Sequence, residues 1–302
     1  MSWNSETIAI TGASGLIGRA LTVALRARGA RVVRIGRGTD ADVQWNVEAG
    51  VLPASAFDGV TGVVHLAGAP IAERWTAAHK LALRESRVAG TALLSRTLLA
   101  RKERPRVLIS GSATGIYGDR GSEVLTERSA PGTGFLAELC CAWEDATTGV
   151  EEAGVRVVHL RTGIVLSPEG GALQKMLPPF KLGVGGPMGA GTQYMGWIGL
   201  HDQVELILWA LQQGSVRGPL NAVAPNPVTN AEFAAELGRV LSRPALLPVP
   251  AFALRVAFGE MAEATMLTSQ RVMPEAALAA GFPFAEEGLA GALRRELGLG
   301  RR

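Results

Sequence analysis

Tyrosine is nearly missing from this chain: 302 residues hold two, Tyr117 and Tyr194. Aromatics total 5%, so the core has to be built from Ala, Val, Leu and Ile rather than from stacked rings. Cysteine is as scarce. Cys140 and Cys141 are sequence neighbours, which point apart on a helix, so no disulfide framework is implied and a reducing compartment fits. The histidines His65, His79, His159 and His201 lack metal-ligand spacing, and His65 and His159 fall in apolar stretches that read as core, so no metal site is expected. No apolar run is long enough to span a bilayer, and no charged leader precedes the first apolar stretch, which makes the cytoplasm the expected location. The net charge is +3 with dispersed arginines. The densest basic run, Arg101-Lys102-Glu103-Arg104, is broken by an acid and reads as a solvated helix end. Neither nucleic acid nor membrane is expected as a partner, and the oligomeric state stays open.

What is present is a repeated alternation. Short β-branched runs, apolar on both faces, lie at Thr7–Thr11, Arg31–Ile35, Gly62–Leu66, Arg106–Ser110 and Val155–Leu160. Helical patterns fall between them, at Leu16–Arg28, Trp75–Lys102, which could be one helix or a broken one, and Gly134–Ala153. Strand and helix in turn predict an α/β fold with a doubly wound parallel sheet, the Rossmann arrangement. The pattern loosens after about Val165. A glycine-rich stretch, Gly183–Gly191, could cover a substrate or merely connect. Helices follow at Asp202–Gln213 and Thr229–Leu241, then a Pro-studded segment, Pro244–Pro250, and a last helical region ending near Leu297. The expected division is a nucleotide-binding domain over 1–165 and a smaller α/β substrate lobe over 166–302, with the two interleaved.

The first strand runs into Gly12-Ala13-Ser14-Gly15-Leu16-Ile17-Gly18. Its glycines permit a tight turn, close approach of backbone to a pyrophosphate, and close helix–strand packing. The helix that follows would offer free N–H groups and a positive dipole end to phosphates. Placed at the first strand–helix junction, the pattern predicts a bound dinucleotide. The second strand ends in Gly36-Arg37 with no acid for the ribose hydroxyls. Gly36 leaves room beside Arg37, whose guanidinium suits a 2′-phosphate, so NADP(H) is the expected cofactor.

Several stretches resemble the extended short-chain dehydrogenase/reductases: Gly12–Gly18, His65-Leu66-Ala67-Gly68-Ala69, Ser110-Gly111-Ser112 ahead of Tyr117-Gly118, and Leu160-Arg161-Thr162-Gly163-Ile164-Val165-Leu166. Gly218-Pro219-Leu220-Asn221-Ala222-Val223 resembles a strand of the substrate lobe. Other stretches are similar to an atypical branch labelled "epimerase family protein" or "cell division inhibitor": Glu85-Ser86-Arg87-Val88-Ala89-Gly90-Thr91, Lys175-Met176-Leu177-Pro178-Pro179-Phe180, and Ala224 to Phe233. A C-terminal extension at about 247–297 belongs to that branch. The resemblance implies cofactor contacts from Leu66, Ala67, Gly68, Ala69 and Ser110. It implies a cofactor contact from Arg87, which stands where most extended reductases carry a helix Asn, and places Gly163 and Ile164 near the nicotinamide.

The same resemblance exposes a gap. These enzymes use a Ser or Thr, a Tyr, and a Lys four residues after the Tyr. The lysine cation lowers the tyrosine pKa for proton transfer. Ser112 fits the first position. Registered by Glu144, the Tyr position holds Leu136 and the Lys position Cys140. Ser112 and Tyr117 are the remaining catalytic candidates. The leading reading is an NADP(H)-binding reductase acting on an unknown small carbonyl or hydroxyl substrate. A non-catalytic NADP(H)-sensing protein is the alternative, and a nucleotide-sugar epimerase the third.

Overall fold

The computed structural model of the chain describes residues 3–300. Seven strands form the central sheet: β1 (Thr7–Thr11), β2 (Arg31–Gly36), β3 (Val43–Gln44), β4 (Gly62–His65), β5 (Val107–Ala113), β6 (Arg156–Thr162) and β7 (Gly218–Ala222). They run parallel in the order β7-β6-β5-β4-β1-β2-β3. The chain reverses its direction of growth at β1, which leaves a crevice at the carboxyl ends of β1 and β4. Helices alternate with the strands: α1 (Leu16–Ala27), α2 (Ala77–Arg84), α3 (Gly90–Leu99), α4 (Phe135–Asp145), α5 (Thr148–Glu152), α6 (Gly171–Lys181), α7 (Leu200–Gln212) and α8 (Asn230–Leu241).

The strands are apolar on both faces because both are covered. Ile8, Ile10, Val107, Ile109, Val158 and Leu160 meet α1 and α7 on one side. Their neighbours Ala9, Val63, Leu108 and Val157 meet α3 and α5 on the other. A second core surrounds the short parallel pair Ile164–Leu166 and Trp197–Gly199, with α6, α8 and the C-terminal helix Leu289–Glu296 packed on it. Helix α8 starts where expected because Thr229 and Glu232 form a reciprocal capping box. No helix among the described residues is long and apolar enough to cross a membrane.

The structure refines the expected elements at four places. Gly218–Ala222 is not a strand of the smaller lobe but the edge of the central sheet, paired with β6 through fully buried Leu220 and Ala222. The first domain therefore takes back α7 and β7 from the segment beyond 165. The helical stretch 75–102 is interrupted by a π-helical turn, Glu85–Ala89. The stretch 134–153 is two helices, since the Thr147 hydroxyl takes the Glu144 carbonyl at 2.8 Å and ends the first. Asp202, at the start of the expected helix 202–213, lies inside the first turn of α7 and accepts the Ala285 and Glu286 N–H groups.

One polar row crosses the sheet. Thr11, His65, Ser110 and His159 are in register on successive strands. Thr11 Oγ1 lies 2.6 Å from His65 Nδ1, and His65 Nε2 lies 2.9 Å from Thr91 Oγ1. His159 Nε2 meets Thr147 Oγ1 at 2.8 Å. The Ser110 hydroxyl is fully buried and has no hydrogen-bond partner among the described residues.

Two predictions follow from this packing. Gly→Ala within a helix ordinarily gains about 1 kcal/mol. At Gly18 the added carbon would lie 2.2 Å from the Gly12 carbonyl oxygen, which is backbone. Gly18→Ala should therefore lose about 1–3 kcal/mol, read as a lower urea midpoint, and a higher midpoint would contradict the packing. His65 is enclosed, and burial lowers its pKa from 6.5 to about 4. Between those values the unfolded chain binds more protons, so stability falls as the pH drops from 6.5 toward 4 and levels off below. The His65 share is about 3 kcal/mol. His65→Gln should flatten the fall of the urea midpoint across that window, and an unchanged slope would remove His65 from the account.

Candidate functional site

The turn after β1 is locked by backbone contact. Gly12 has φ +72°, and a carbon added to it would lie 2.7 Å from the Leu66 carbonyl carbon. Helix α1 begins at Gly15 with no side-chain cap, so its first N–H groups are open. Ala13, Leu16 and Ile17 are half-buried and Ser14 exposed, which leaves the turn accessible. Leu16 also touches Gly170, ahead of α6, and so joins the two lobes at the rim.

At the end of β2, Arg34 is held by Asp42 through a paired contact of 3.0 and 3.2 Å. Arg37 is exposed, one residue past Gly36, and no hydrogen bond or ion pair reaches it among the described residues. At the end of β4, Leu66 N–H donates to the Thr11 carbonyl and Ala67 N–H to Thr11 Oγ1. Ala69 N–H donates to Ser86 Oγ at 3.0 Å, and Arg87 Nη2 to the Ala69 carbonyl at 3.0 Å. Arg87 is carried inward by the π-helical turn and lies across Gly68. Gly163 is pressed against the Gly196 carbonyl and Val223, and Ile164 opens the strand that follows. The turn Gly12–Ile17, the segment Leu66–Ala69, Arg87 and the pair Gly163–Ile164 thus gather at the carboxyl ends of β1, β4 and β6.

The two catalytic candidates are placed differently from expectation. Ser112 Oγ donates to Glu144 Oε1 at 2.6 Å. Glu144 is gripped by both Nε and Nη2 of Arg161 at 2.9 Å. Burial works to raise the Glu144 pKa, but the Arg161 and Ser112 hydrogen bonds outweigh it and hold the carboxyl below its usual range. Tyr117 is fully buried, donates its hydroxyl proton to Asn221 Oδ1 at 2.7 Å and receives Arg161 Nη1 at 3.1 Å. Burial pushes its pKa up despite Arg161, the opposite of what a proton donor near neutral pH needs. Tyr117 ties the turn after β5 to β7 through Asn221, a partner far along the chain.

The wall beside Ala69 is apolar. Trp75, Leu83, Leu139 and Met261 form its centre, with Ile71, Val88, Phe135, Leu136, Phe258 and Met266 around them. Leu136, at the proton-donor position, belongs to this cluster. Cys140, four residues on, has its thiol pushed up to about 12 by burial, with Glu144 adding to the shift, and stays neutral. Among the described residues no group of His, Cys, Asp and Glu could hold a metal ion. A separate pocket of about 530 Å³ opens farther along, between Gly189–Tyr194, Asp119–Ser122 and the segment holding Arg255 and Glu263. None of the predicted site residues lines it.

Residues 8–222 match the NAD dependent epimerase/dehydratase family, and residues 249–296 match a domain of unknown function (DUF1731). Epimerase family protein Mb2239 of Mycobacterium bovis is 45% identical over 284 residues, which is 93% of this chain and 94% of that protein. The crystal structure of human epimerase family protein SDR39U1 (isoform2) with NADPH has a TM-score of 0.88 at 31% identity, covering 97% of this chain and 99% of that one. A nucleoside-diphosphate sugar epimerase from Corynebacterium glutamicum has a TM-score of 0.79 at 37% identity, and the match spans 97% of this chain and 58% of that longer one. The chain belongs to the NAD dependent epimerase/dehydratase family, in the short-chain dehydrogenase/reductase branch that carries this C-terminal domain.

Proposed function

We propose, from that membership, that the chain binds NADP(H) across the ends of β1, β2 and β4 and uses it on a small uncharged carbonyl or hydroxyl compound. Arg37 carries the choice of cofactor. Its neighbour Arg34 is engaged by Asp42, whereas Arg37 stands exposed and unpartnered among the described residues, where no acid competes for a ribose. A free guanidinium there suits a 2′-phosphate, which it can take with two charge-assisted bonds. The NADPH held by the human relative's structure supports the same reading.

The residues present fit such a cofactor. The cradle at Gly12 excludes any side chain, and the open start of α1 suits phosphate oxygens. Gly12, Ala13, Ser14, Gly15, Leu16 and Ile17 would surround the pyrophosphate, with Gly36 and Arg37 at the adenosine end. Leu66, Ala67, Gly68, Ala69 and Arg87 would flank it on the β4 side, and Gly163 and Ile164 the nicotinamide end. When bound, the dinucleotide supplies or accepts the hydride. Ser112 is the hydroxyl left beside a substrate oxygen: its proton goes to Glu144, so its lone pairs would accept from a substrate hydroxyl, and toward a carbonyl it would have to turn its proton away from Glu144. We do not assign Tyr117 a proton-transfer role, given its burial and its bond to Asn221. The apolar wall around Leu136 favours an uncharged substrate. Two free cysteines, one of them buried, suit a reducing compartment, and we place the chain in the cytoplasm.

A second reading is a protein that binds NADP(H) without turnover and presents its state to a partner. Leu136 and Cys140 at the proton-transfer positions favour it. The epimerase reading is the weakest, since the same pair is missing.

Arg37→Ala should weaken NADPH binding about tenfold or more while NADH affinity stays within about twofold. Equal loss for both would overturn the 2′-phosphate assignment. NADPH absorbance followed across a panel of apolar aldehydes and ketones and of nucleotide sugars separates the readings. Consumption with an apolar carbonyl is expected, and silence alongside tight NADPH binding would establish the second reading.

A further inference from the structure

Apolar side chains that stand in water collect on one part of this molecule. Of the thirteen large apolar residues exposed among the described residues, seven fall within 182–184 or 246–256. Leu246 is 81% exposed, Leu182 78%, Val256 73% and Phe252 69%. Single apolar residues scattered over a surface are ordinary, but a cluster of them is not. Two segments build the cluster. From Leu182 to Gly191 and from Pro244 to Leu254 no side chain carries a nitrogen or an oxygen. The segments lie side by side. Met188 and Val249 form a parallel bridge, Val249 N–H donates to the Pro187 carbonyl at 2.8 Å, and Gly189 N–H donates to the Val249 carbonyl at 2.9 Å. At Gly186 an added carbon would lie 2.1 Å from the Leu247 carbonyl oxygen, so the two backbones touch. The second segment runs into a helix, α9 (Ala251–Phe258), of which only Leu254 is buried. Phe252 and Val256 are spaced i, i+4 and share its outer side.

Charge decides what such a face can meet. Lys181 and Arg243 stand where the two segments begin, joined by a bond from Arg243 Nε to the Lys181 carbonyl at 3.0 Å. At the far end Arg74 donates to the Val256 carbonyl at 2.9 Å. No carboxylate pairs with any of these three cations among the described residues. The acids Glu236, Glu260 and Glu263 are taken by Arg239, Lys80 and Arg255. Glu73, beside Arg74, meets His79. Positive charge is left over. A second copy of the chain would bring that surplus against itself. A protein that captures a helix or an extended segment offers it a groove, whereas these side chains project. An apolar surface bordered by unpaired cations fits the boundary between acyl chains and anionic headgroups.

We propose that this face seats the chain on an anionic lipid bilayer, with Leu246 and Phe252 in the acyl boundary and Lys181 and Arg243 at the level of the phosphates. No helix among the described residues is long and apolar enough to cross, so the attachment is peripheral. The expectation of no membrane partner rested on the lack of a spanning run, and a face assembled from two segments escapes that test. The inner side of α9 reaches the apolar wall, where Phe258 joins the cluster of Trp75 and Leu136. The bilayer would lie against the outside of that wall, close to the place proposed for an uncharged substrate. The attachment itself is independent of the NADP(H) reading.

Co-sedimentation of the full chain with lipid vesicles tests this, using pure phosphatidylcholine and a mixture with about a third phosphatidylglycerol. The mixed vesicles should bind about tenfold or more tightly than the neutral ones, and less so as salt rises. Lys181→Gln with Arg243→Gln should cost about tenfold on mixed vesicles and stay within about twofold on neutral ones. Leu246→Ser with Phe252→Ser should weaken binding to mixed vesicles about tenfold or more. Val23→Ser, as exposed as Phe252 but on α1, should stay within about twofold. Each of these positions is exposed, so the fold is expected to hold, and urea midpoints check it. Phe252→Trp adds a reporter, whose emission should shift to the blue on mixed vesicles and be quenched by brominated acyl chains. No binding to mixed vesicles, equal binding to both kinds, or a serine pair that binds like the unmodified chain would each overturn the proposal. So would a dimer in sedimentation equilibrium that the serine pair dissociates while vesicles go unbound, which would assign the face to a second copy.

Discussion

Between Gly12 and Leu66 the two backbones touch with no space for a side-chain carbon, and the rest of the crevice is organised around that contact. It fixes the turn after β1 against the end of β4. Thr11 secures the same junction from inside, taking the Ala67 N–H and meeting His65. His65 bonds Thr91, and the Thr91 hydroxyl donates to the Arg87 carbonyl at 2.6 Å. One unbroken series of hydrogen bonds therefore links the glycine turn to the π-helical turn. The glycine turn and the π-helical turn are braced by a shared buried row rather than by separate loops. Such a row is stable only when satisfied throughout, which is why His65 must remain neutral.

A second network explains where the expected chemistry went. Glu144 binds Arg161 bidentately and also accepts a hydrogen bond from the Ser112 hydroxyl. Arg161 reaches on to Tyr117, and Tyr117 to Asn221, whose side chain donates to the Met273 carbonyl. Tyr117 is thus tied down through both its proton and its oxygen, and Ser112 through its proton alone. The acid and base of this network neutralise each other. Arg87 is outside it, and no carboxylate among the described residues offsets its charge.

Features that depend on local chemistry were readable from the sequence. The glycine turn, the β-branched strands and the capping box at Thr229 each state their structure within a few residues. Features that depend on distant partners were not. Gly218-Pro219-Leu220-Asn221-Ala222 is short and carries glycine and proline, and only its alignment with β6 shows that it closes the sheet. The π-helical turn differs from an α-helix by one residue in spacing, too little for periodicity to register, yet it decides that Arg87 points inward. Tyr117 follows a strand in the manner of a functional loop residue, and Asn221 is what shows it to be structural. The lost Tyr and Lys were legible as absences at Leu136 and Cys140.

The C-terminal segment is bound to the site rather than appended to it. Phe258, Met261 and Met266 complete the apolar wall that Trp75 and Leu136 begin. Lys80 of α2 pairs with Glu260, and Arg74 donates to the Val256 carbonyl at 2.9 Å. At the opposite side Asp202 of α7 holds the Ala285 and Glu286 N–H groups. The segment is anchored to both lobes, and it brings methionine and phenylalanine to the region beside Ala69 rather than a charge. On the proposed reading, the fixed cations Arg37 and Arg87 are both directed to the cofactor, and the substrate is left with an apolar surface and one hydroxyl. Selection would then rest on shape and on the cost of burying a charge without a partner, which an uncharged compound avoids and a nucleotide sugar does not.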